Sequence, residues 1–409
     1  MQRQSRLFGK TNKEAKEFES LNATLLQKGG FIHQEMAGVY SYLPLGKLVL
    51  DKIENIVREE MLKIANEINM PALASKESWA TTGRLDTVDI LMKTIGANEK
   101  SYERHSGEYI LNPTHEEVIT PLAKEYNVSY KNFPFALFQI QTKFRNEARS
   151  KSGLLRGREF RMKDLYSFHT SIEDLKDYYE EVKKSYFTIF ERLGLKEYTV
   201  IAKASGGDFT TDYSDEFQIL CNNGEDIIYY DDKTDTYYNK EVAKKEILHN
   251  GKTASEGGNI FILKDKFTKA FDYTYQSKDN KKGEIYMGCY GLGTSRVMGI
   301  VAEIFNDESG LIWPESISPY DIHLITYGNI TSKDIDKIKE IADKKNKTIL
   351  WDDREEVSMG EKLKDSDLLG ITTRLILSEK SIQSGGVEIK KRNKKESTII
   401  PITKIGENI

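Results

Sequence analysis

The chain has 409 residues, 38% of them hydrophobic and 30% charged, with a formal net charge of −4. This length predicts two or three domains with room for a substantial core, and this balance excludes an extended disordered chain. With a pI of about 6.0, the overall field does not favour nucleic acid, so an RNA ligand would have to be held by local basic patches.

No apolar run reaches the ~18 residues of a membrane-spanning helix. The opening stretch, Met1 to Phe8, lacks the apolar core of a secretory signal. Two cysteines, Cys221 and Cys289, cannot build a disulfide framework, and with the 6 histidines they give no zinc-ligand spacing. The expected setting is a reducing cytoplasm.

In chain order, Asn12–Gln27 reads as an amphipathic helix closed by Gly29 and Gly30. Leu45–Asn66 predicts a longer helix, with Leu48, Leu50, Ile53, Ile56, Val57 and Met61 at helical spacing. It runs into a short strand-like piece, Ile68–Pro71. Ile172–Leu193 predicts another helix, with Glu173 and Asp174 in its first turn and Gly194 as its stop. Between these lie β-rich stretches: Tyr109–Asn112, Phe135–Lys143, Glu159–His169, Glu216–Leu220, Ile227–Tyr230 and Glu284–Tyr290. Their order predicts an α+β body, an antiparallel sheet flanked by helices.

The pattern changes after Trp313 and Pro314. Strand Asp321–Thr326, helix Ser332–Lys345, strand Thr348–Trp351, helix Met359–Leu369, strand Thr373–Leu377 and a hairpin of Gly386–Arg392 with Ser397–Pro401 follow. This series predicts a small α/β domain with its own sheet. We therefore expect residues 1–316 to form one domain and 317–409 a second. The basic run Lys390–Lys395 suits either RNA or a hairpin edge protected by lysines.

Two constellations carry chemistry. The first is Phe144-Arg145-Asn146-Glu147, a loop, then Arg156–Asp164. A strand, a basic loop and a return strand aim Arg145, Glu147, Arg156 and Phe160 at a common face. Arginines suit phosphate oxygens, a carboxylate suits an exocyclic amine, and an aromatic ring suits a base. Alone, the set equally fits a ladder of ion pairs on an exposed hairpin. The second is Met287–Arg296, followed by an apolar helix, Val297–Phe305. Its glycines resemble a dinucleotide fingerprint, but the third glycine of that pattern falls on Arg296. A glycine pair followed by an arginine on the next helix suits a polyphosphate tail. Alone, it also fits an ordinary turn into a helix.

Together the two resemble a known pair. Phe144–Asp164 resembles motif 2 of class II aminoacyl-tRNA synthetases, and Gly291–Arg296 resembles their motif 3. Leu45–Pro71 resembles motif 1, which forms the dimer interface in that class. The resemblance implies a class II catalytic sheet with ATP bent upon it. Arg145 would then meet the α-phosphate, Phe160 stack on adenine, and Arg296 take the γ-phosphate. Glu147 would face the adenine amino group, Arg156 the outer phosphates, and Gly293 the nucleotide.

Within the class, the chain resembles bacterial-type prolyl-tRNA synthetases. Ala37–Gly46, Asn112–Glu117, Arg158–His169, Ser214–Gln218 and Met287–Gly291 carry that likeness. It implies L-proline, ATP with Mg2+, tRNA(Pro) and a second copy of the chain as partners. Thr114, Glu116, Arg145 and Cys289 would line the proline site. The chemistry suits this: a secondary ammonium has two N–H donors, which a carboxylate and a hydroxyl accept. The same Pro113–Glu117 segment also reads as a capping box, with Thr114 as cap and Glu117 completing it. We expect both. Glu216 and Gln218 would reach magnesium or the ATP sugar and phosphates; a plain strand face remains open for them. Arg149 and Lys151 would meet the acceptor end of tRNA. The C-terminal segment resembles the anticodon-binding domain of this subclass at Asp352–Arg354, Gly360, Lys362, Asp365 and Gly370, with Thr372 where proline is usual. Arg354 and Lys362 would contact the anticodon, or form surface ion pairs.

Many bacterial members carry an editing domain between motifs 2 and 3. Here the corresponding stretch is residues 229–258, rich in Lys, Asp and Tyr, and a short β-structured remnant is expected. Clearance of alanine mischarged onto the proline tRNA would then fall to a separate protein. Asn259 stands where the family often has His. Two other readings compete: a non-catalytic RNA- or DNA-binding factor on the same fold, and a ligase that adenylates a small acid without tRNA. The first commonly loses the motif 2 and motif 3 arginines, which are present here. The second leaves the C-terminal domain unexplained.

Overall fold

The alternating stretches in the middle of the chain fold into one sheet of nine strands in the computed structural model, which describes residues 1–12, 14, 17–150 and 152–409. The strands run in the order Ser214–Leu220, Thr199–Ala204, Thr236–Asn239, Asp226–Asp231, Lys252–Lys264, Tyr286–Leu292, Glu159–His169, Phe135–Phe144 and Asn66–Glu67. Most neighbours are antiparallel; Thr199–Ala204 with Thr236–Asn239, and Asn66–Glu67 with Phe135–Phe144, are parallel. Ser214–Leu220 also pairs with Lys252–Lys264, across a register shift at Phe217 and Gln218.

The two faces of this sheet follow from strand alternation. The helix Ile172–Arg192, capped by Ser171 through the Asp174 amide, buries Leu175, Tyr179, Val182, Tyr186, Ile189 and Phe190. Tyr186 and Phe190 pack on Phe217, with ring centroids 5.0 and 5.7 Å apart, and Tyr179 on Tyr290 at 6.1 Å. One residue either way lie Glu216, Gln218, Cys289 and Gly291, which therefore face away from the helix. A core of Met70, Ile119, Tyr166, Phe168, Phe267, Tyr273, Ile285 and Met287 gathers on that second side.

Two compact units emerge. One holds residues 36–39 and 53–300; the other holds 1–35, 40–52 and 301–409. The second contains a six-stranded sheet in the order Gln2–Arg3, Ile349–Asp352, Ile322–Tyr327, Thr373–Ser378, Val387–Lys391 and Thr398–Ile400. Its first four strands are parallel and its last two antiparallel. Helices Ser332–Lys344 and Met359–Leu369 accompany it, so the α/β series read from the sequence is present. The chain's first residues add a strand that the sequence pattern did not announce. There Ser5 donates its N–H and hydroxyl to the Asp353 carboxylate at 3.0 and 2.7 Å.

Some elements differ from expectation. The first helix spans only Leu21–Lys28, and Lys13, Ala15 and Lys16 of the expected Asn12–Gln27 helix lie outside the described residues. The long helix ends at Met61 rather than Asn66, because hydrogen-bonded turns at Leu62–Ala65 deliver the chain to the Asn66–Glu67 strand. The stretch 229–258 holds the end of one strand, all of Thr236–Asn239, a 3-10 turn at Lys245–Ile247 and the start of Lys252–Lys264.

Gly46 opens the long helix against backbone: a Cβ there would stand 2.0 Å from the Phe31 carbonyl oxygen. Backbone cannot yield as a flexible side chain does. Gly46→Ala is expected to destabilise the fold by about 1–3 kcal/mol, the scale of overpacking. A lowered denaturation midpoint checks this; a wild-type midpoint contradicts it.

Candidate active site

Strand Tyr109–Leu111 delivers Asn112, Pro113 and Thr114 to the start of helix Glu116–Tyr126. Glu116 is fully buried, yet its carboxylate is met on every side. The Thr114 hydroxyl donates to Oε2 at 2.6 Å, and the Cys289 thiol donates to Oε1 at 3.1 Å. Arg84 Nη1 lies 3.4 Å from Oε2. Burial, then the Glu116 charge, push the Cys289 thiol well up, so it stays a protonated donor.

The expected capping box is not formed. The cap residue is His115, with no side-chain cap, and Thr114 turns to Glu116 instead. Glu117 takes Arg84 at 2.9 and 3.2 Å and the Thr82 hydroxyl at 2.9 Å. A buried guanidinium is a stronger carboxylate partner than a peptide N–H, so the ion pair prevails over the box.

A second buried network supports the turn from below. Lys143 Nζ reaches Asp164 Oδ1 at 2.8 Å and also donates to His115 Nδ1. His115 Nε2 lies 2.9 Å from the Pro71 carbonyl. Nε2 therefore carries the proton and Nδ1 accepts. Burial and then Lys143 hold this ring's pKa near 4, so it is neutral at physiological pH. Asp164 Oδ2 accepts from Tyr166 at 3.0 Å and from Gln139 at 3.1 Å. The Tyr166 oxygen in turn receives the His115 N–H at 2.9 Å. Burial works against the Asp164 charge, but the Lys143 ammonium, with hydrogen bonds from Lys143 and Gln139, outweighs it and holds this carboxyl below its usual range.

The motif 2 and motif 3 residues meet in a narrow cleft lined by Arg145, Glu147, Leu154, Leu155, Arg156, Gly157, Phe160 and Arg296. The Arg145 guanidinium lies 5.0 Å from the Phe160 ring. Arg156 Nε donates to Glu147 at 2.8 Å. Arg296 donates to the Leu155 carbonyl at 2.8 Å and to Glu256 Oε2 at 2.7 Å. Arg145 Nε is buried and has no hydrogen-bond partner among the described residues. Gly293 starts the helix carrying Arg296, its N–H reaching the Gly257 carbonyl at 3.3 Å.

Arg145 also lines a larger cavity of about 330 Å3, with Arg84, Pro113, Thr114, Phe209, Glu216 and Phe261 among its walls. Glu216 accepts from Gln218 at 2.8 Å, Asn239 at 3.0 Å and Asn259 at 3.2 Å. Burial, then the nearby Glu256 charge, push its carboxyl up to about 8. Gln218 reaches Asp226 as well, at 2.9 Å. Among the described residues no group of three or more His, Cys, Asp or Glu is arranged to hold a metal.

Of the expected site residues, Arg145, Glu147, Arg156, Phe160 and Arg296 line the cleft, and Thr114, Arg145 and Glu216 line the cavity; Glu116 and Cys289 lie behind Thr114 in one hydrogen-bonded chain, and Gln218 behind Glu216. Arg149 is exposed on the motif 2 loop, and Lys151 lies outside the described residues. In the C-terminal sheet Arg354 is held by Asp352 at 2.6 Å and Asp365 at 2.9 Å. Lys362 is buried, and its amine donates to the Thr326 carbonyl at 2.8 Å, so it braces the domain instead of reaching outward. Sequence reasoning missed Arg84, Lys143 and Glu256. Two adjacent acids after a buried loop were a signal for a cationic partner, but nothing in the spacing named Arg84.

The family model for the tRNA synthetase class II core domain (G, H, P, S and T) matches residues 99–305, and the anticodon binding domain model matches 322–409. The proline--tRNA ligase of Wolbachia sp. subsp. Drosophila simulans is 38% identical over 386 residues, covering 89% of each chain. That of Agrobacterium fabrum is 33% identical over 442 residues, covering 98% of each. Among solved structures, Giardia lamblia prolyl-tRNA synthetase in complex with prolyl-adenylate aligns with a TM-score of 0.79 at 20% identity, over 94% of this chain and 75% of that one. The Cryptosporidium parvum enzyme complexed with L-proline and AMP aligns with a TM-score of 0.77 at 16% identity, over 95% and 76%. Identity at the level of the curated relatives, across nearly the whole chain, means that this chain belongs to the prolyl-tRNA synthetase family of class II aminoacyl-tRNA synthetases.

Proposed function

We propose that this chain activates L-proline with ATP and transfers it to the 3′ end of tRNA(Pro), using the two spaces joined by Arg145. That junction carries the reading. One guanidinium borders both the cavity walled by Thr114 and the cleft walled by Phe160 and Arg296. A substrate carboxylate and an α-phosphate held on either side of Arg145 would be neighbours.

In the first step the proline carboxylate attacks the α-phosphorus in line, forming prolyl-adenylate and releasing pyrophosphate. Arg145 and Arg296 are the catalytic residues, acting by position and charge on phosphate oxygens. Their present partners, Glu256 and the Leu155 carbonyl for Arg296, hold its fork ready to exchange onto the triphosphate. Phe160 offers the adenine a face, Glu147 an acceptor for its amino group, and Arg156 a cation for the outer phosphates. Glu116 and Thr114 receive the proline ammonium, and Cys289 orients Glu116. Glu216, with Glu256 beside it, would hold a magnesium ion brought in with ATP, which would supply positive charge to the phosphate oxygens. In the second step the terminal ribose hydroxyl of tRNA attacks the adenylate carbonyl and AMP leaves.

In this reading residues 1–316 form the catalytic part and 317–409 the anticodon-binding part, with the Gln2–Arg3 strand lent to the sheet of the latter. The ends of the two matched family models, at 305 and 322, support it. Arg149 and Lys151 approach the acceptor end, and Arg354 with Lys362 shapes the anticodon platform. A homodimer through the motif 1 helix and a cytoplasmic setting complete the proposal; no helix among the described residues is long and apolar enough to cross a membrane.

Arg145→Ala and Arg296→Ala are each expected to lower proline-dependent ATP–pyrophosphate exchange by roughly 10²–10³-fold, the scale of losing one preorganised donor. Exchange at the wild-type rate in either would refute its role. Because 229–258 contributes strands to the catalytic sheet rather than a domain, alanyl-tRNA(Pro) incubated with this chain should persist as long as in buffer. Rapid deacylation by the chain alone would sink the expectation that a separate protein supplies editing.

A further inference from the structure

Arg84 follows Gly83, whose left-handed backbone (φ 70°) turns the chain after helix Lys76–Thr81. Its guanidinium is nearly inaccessible, at 3% exposure, and borders the amino-acid cavity. Three rings surround it: Phe209 at 4.6 Å, Trp79 at 5.2 Å and Phe267 at 5.3 Å. One nitrogen, Nη1, reaches two carboxylates, Glu117 at 2.9 and 3.2 Å and Glu116 at 3.4 Å. Its Nε is buried with no hydrogen-bond partner among the described residues. A cation buried among rings and held by a satisfied acid is rigid. Glu117, tied also to Thr82, fixes the guanidinium, and the guanidinium then faces Glu116.

We propose that Arg84 is the positioning residue of the amino-acid pocket: it fixes the Glu116 carboxylate and, through the Phe209 ring, holds the Ser205–Phe209 wall of the cavity against it. This rests on the reading of Glu116 as the acceptor for the proline ammonium. Glu116 and Glu117 are adjacent buried acids, and Arg84 is the cation they share. Burial and the Glu116 charge push Glu117 up to about 7, and Arg84 opposes that rise. The other cations acting on this cluster are Lys266, Lys143 and Arg145; His115, Tyr166 and Cys289 also face it, with Asp164 beside Lys143 and Asp208 beside Lys266. Among the described residues, none of these three cations hydrogen-bonds Glu116 or Glu117. Without Arg84, Glu117 would lose the cation that opposes its rise, and Glu116 would lose the guanidinium that meets its Oε2.

The test is proline-dependent ATP–pyrophosphate exchange in Arg84→Met and Arg84→Lys, with melting temperature as the check on folding. Loss of binding geometry without loss of chemistry raises KM and spares kcat, so Arg84→Met should raise the KM for proline about 10- to 100-fold with kcat and the KM for ATP within about threefold. Arg84→Lys keeps the charge and loses the planar fork, and should fall between wild type and Arg84→Met. A wild-type KM for proline in folded Arg84→Met overturns the proposal, as does a joint fall in kcat and ATP affinity. Should Arg84→Met not fold, Arg84→Lys decides alone: a selective rise in the KM for proline supports positioning, and wild-type behaviour refutes it. Glu116→Ala separates the underlying reading, since an unchanged KM for proline there would remove Glu116 itself from the site.

Discussion

A carboxylate with no exposure to water needs compensation from each direction, and Glu116 is built into that position. Transfer of an isolated ion into a protein interior is so unfavourable that the group would neutralise instead. Here a hydroxyl, a thiol and a guanidinium surround it, and the turn that carries it rests on the Lys143, Asp164 and His115 network. Every one of these partners is itself buried or half-buried, so each constrains the next. The result is an acceptor fixed before any substrate arrives, which lowers the ordering cost of binding.

The sheet makes this arrangement possible through alternation. Residue 163 faces the helix Ile172–Arg192, where its amine meets the Tyr186 hydroxyl, and residue 164 faces the site. Tyr290 packs under the same helix while Cys289 reaches Glu116. Phe217 is core while Glu216 and Gln218 are site. Two of these strands thus place a polar or reactive side chain on one surface and a large aromatic one on the other, and the third sets Lys163 against the helix and Asp164 toward the site. The register between Phe135–Phe144 and Glu159–His169 sets Gln139 opposite Asp164, joining residues 25 apart in sequence by a hydrogen bond of 3.1 Å.

Periodicity made the major elements legible: Glu159–His169 and Met359–Leu369 fold over the ranges their patterns predict. The motif arginines were legible because their spacing is local. Arg84 was not, since an arginine after Thr-Thr-Gly has no pattern of its own and meets Glu117 only through the tertiary fold. The capping box failed for a related reason: a local rule for Thr114 and Glu117 yielded to a non-local ion pair. Lys362 looked like an outward-facing cation on a helix, but the domain's core draws its amine to the carbonyls of Thr326 and Asp352. Asn239 belongs to a stretch read as a remnant, yet it donates to Glu216 and so takes part in the site.

The central claim is that one preset cavity selects proline and hands it to tRNA through the cleft beside it. Pyrophosphate exchange measured with each of the standard amino acids, followed by charging of proline tRNA, tests this most directly. The account predicts exchange that depends on proline above all others and prolyl-tRNA that accumulates with it. Exchange indifferent to proline, or exchange without charging, would contradict it.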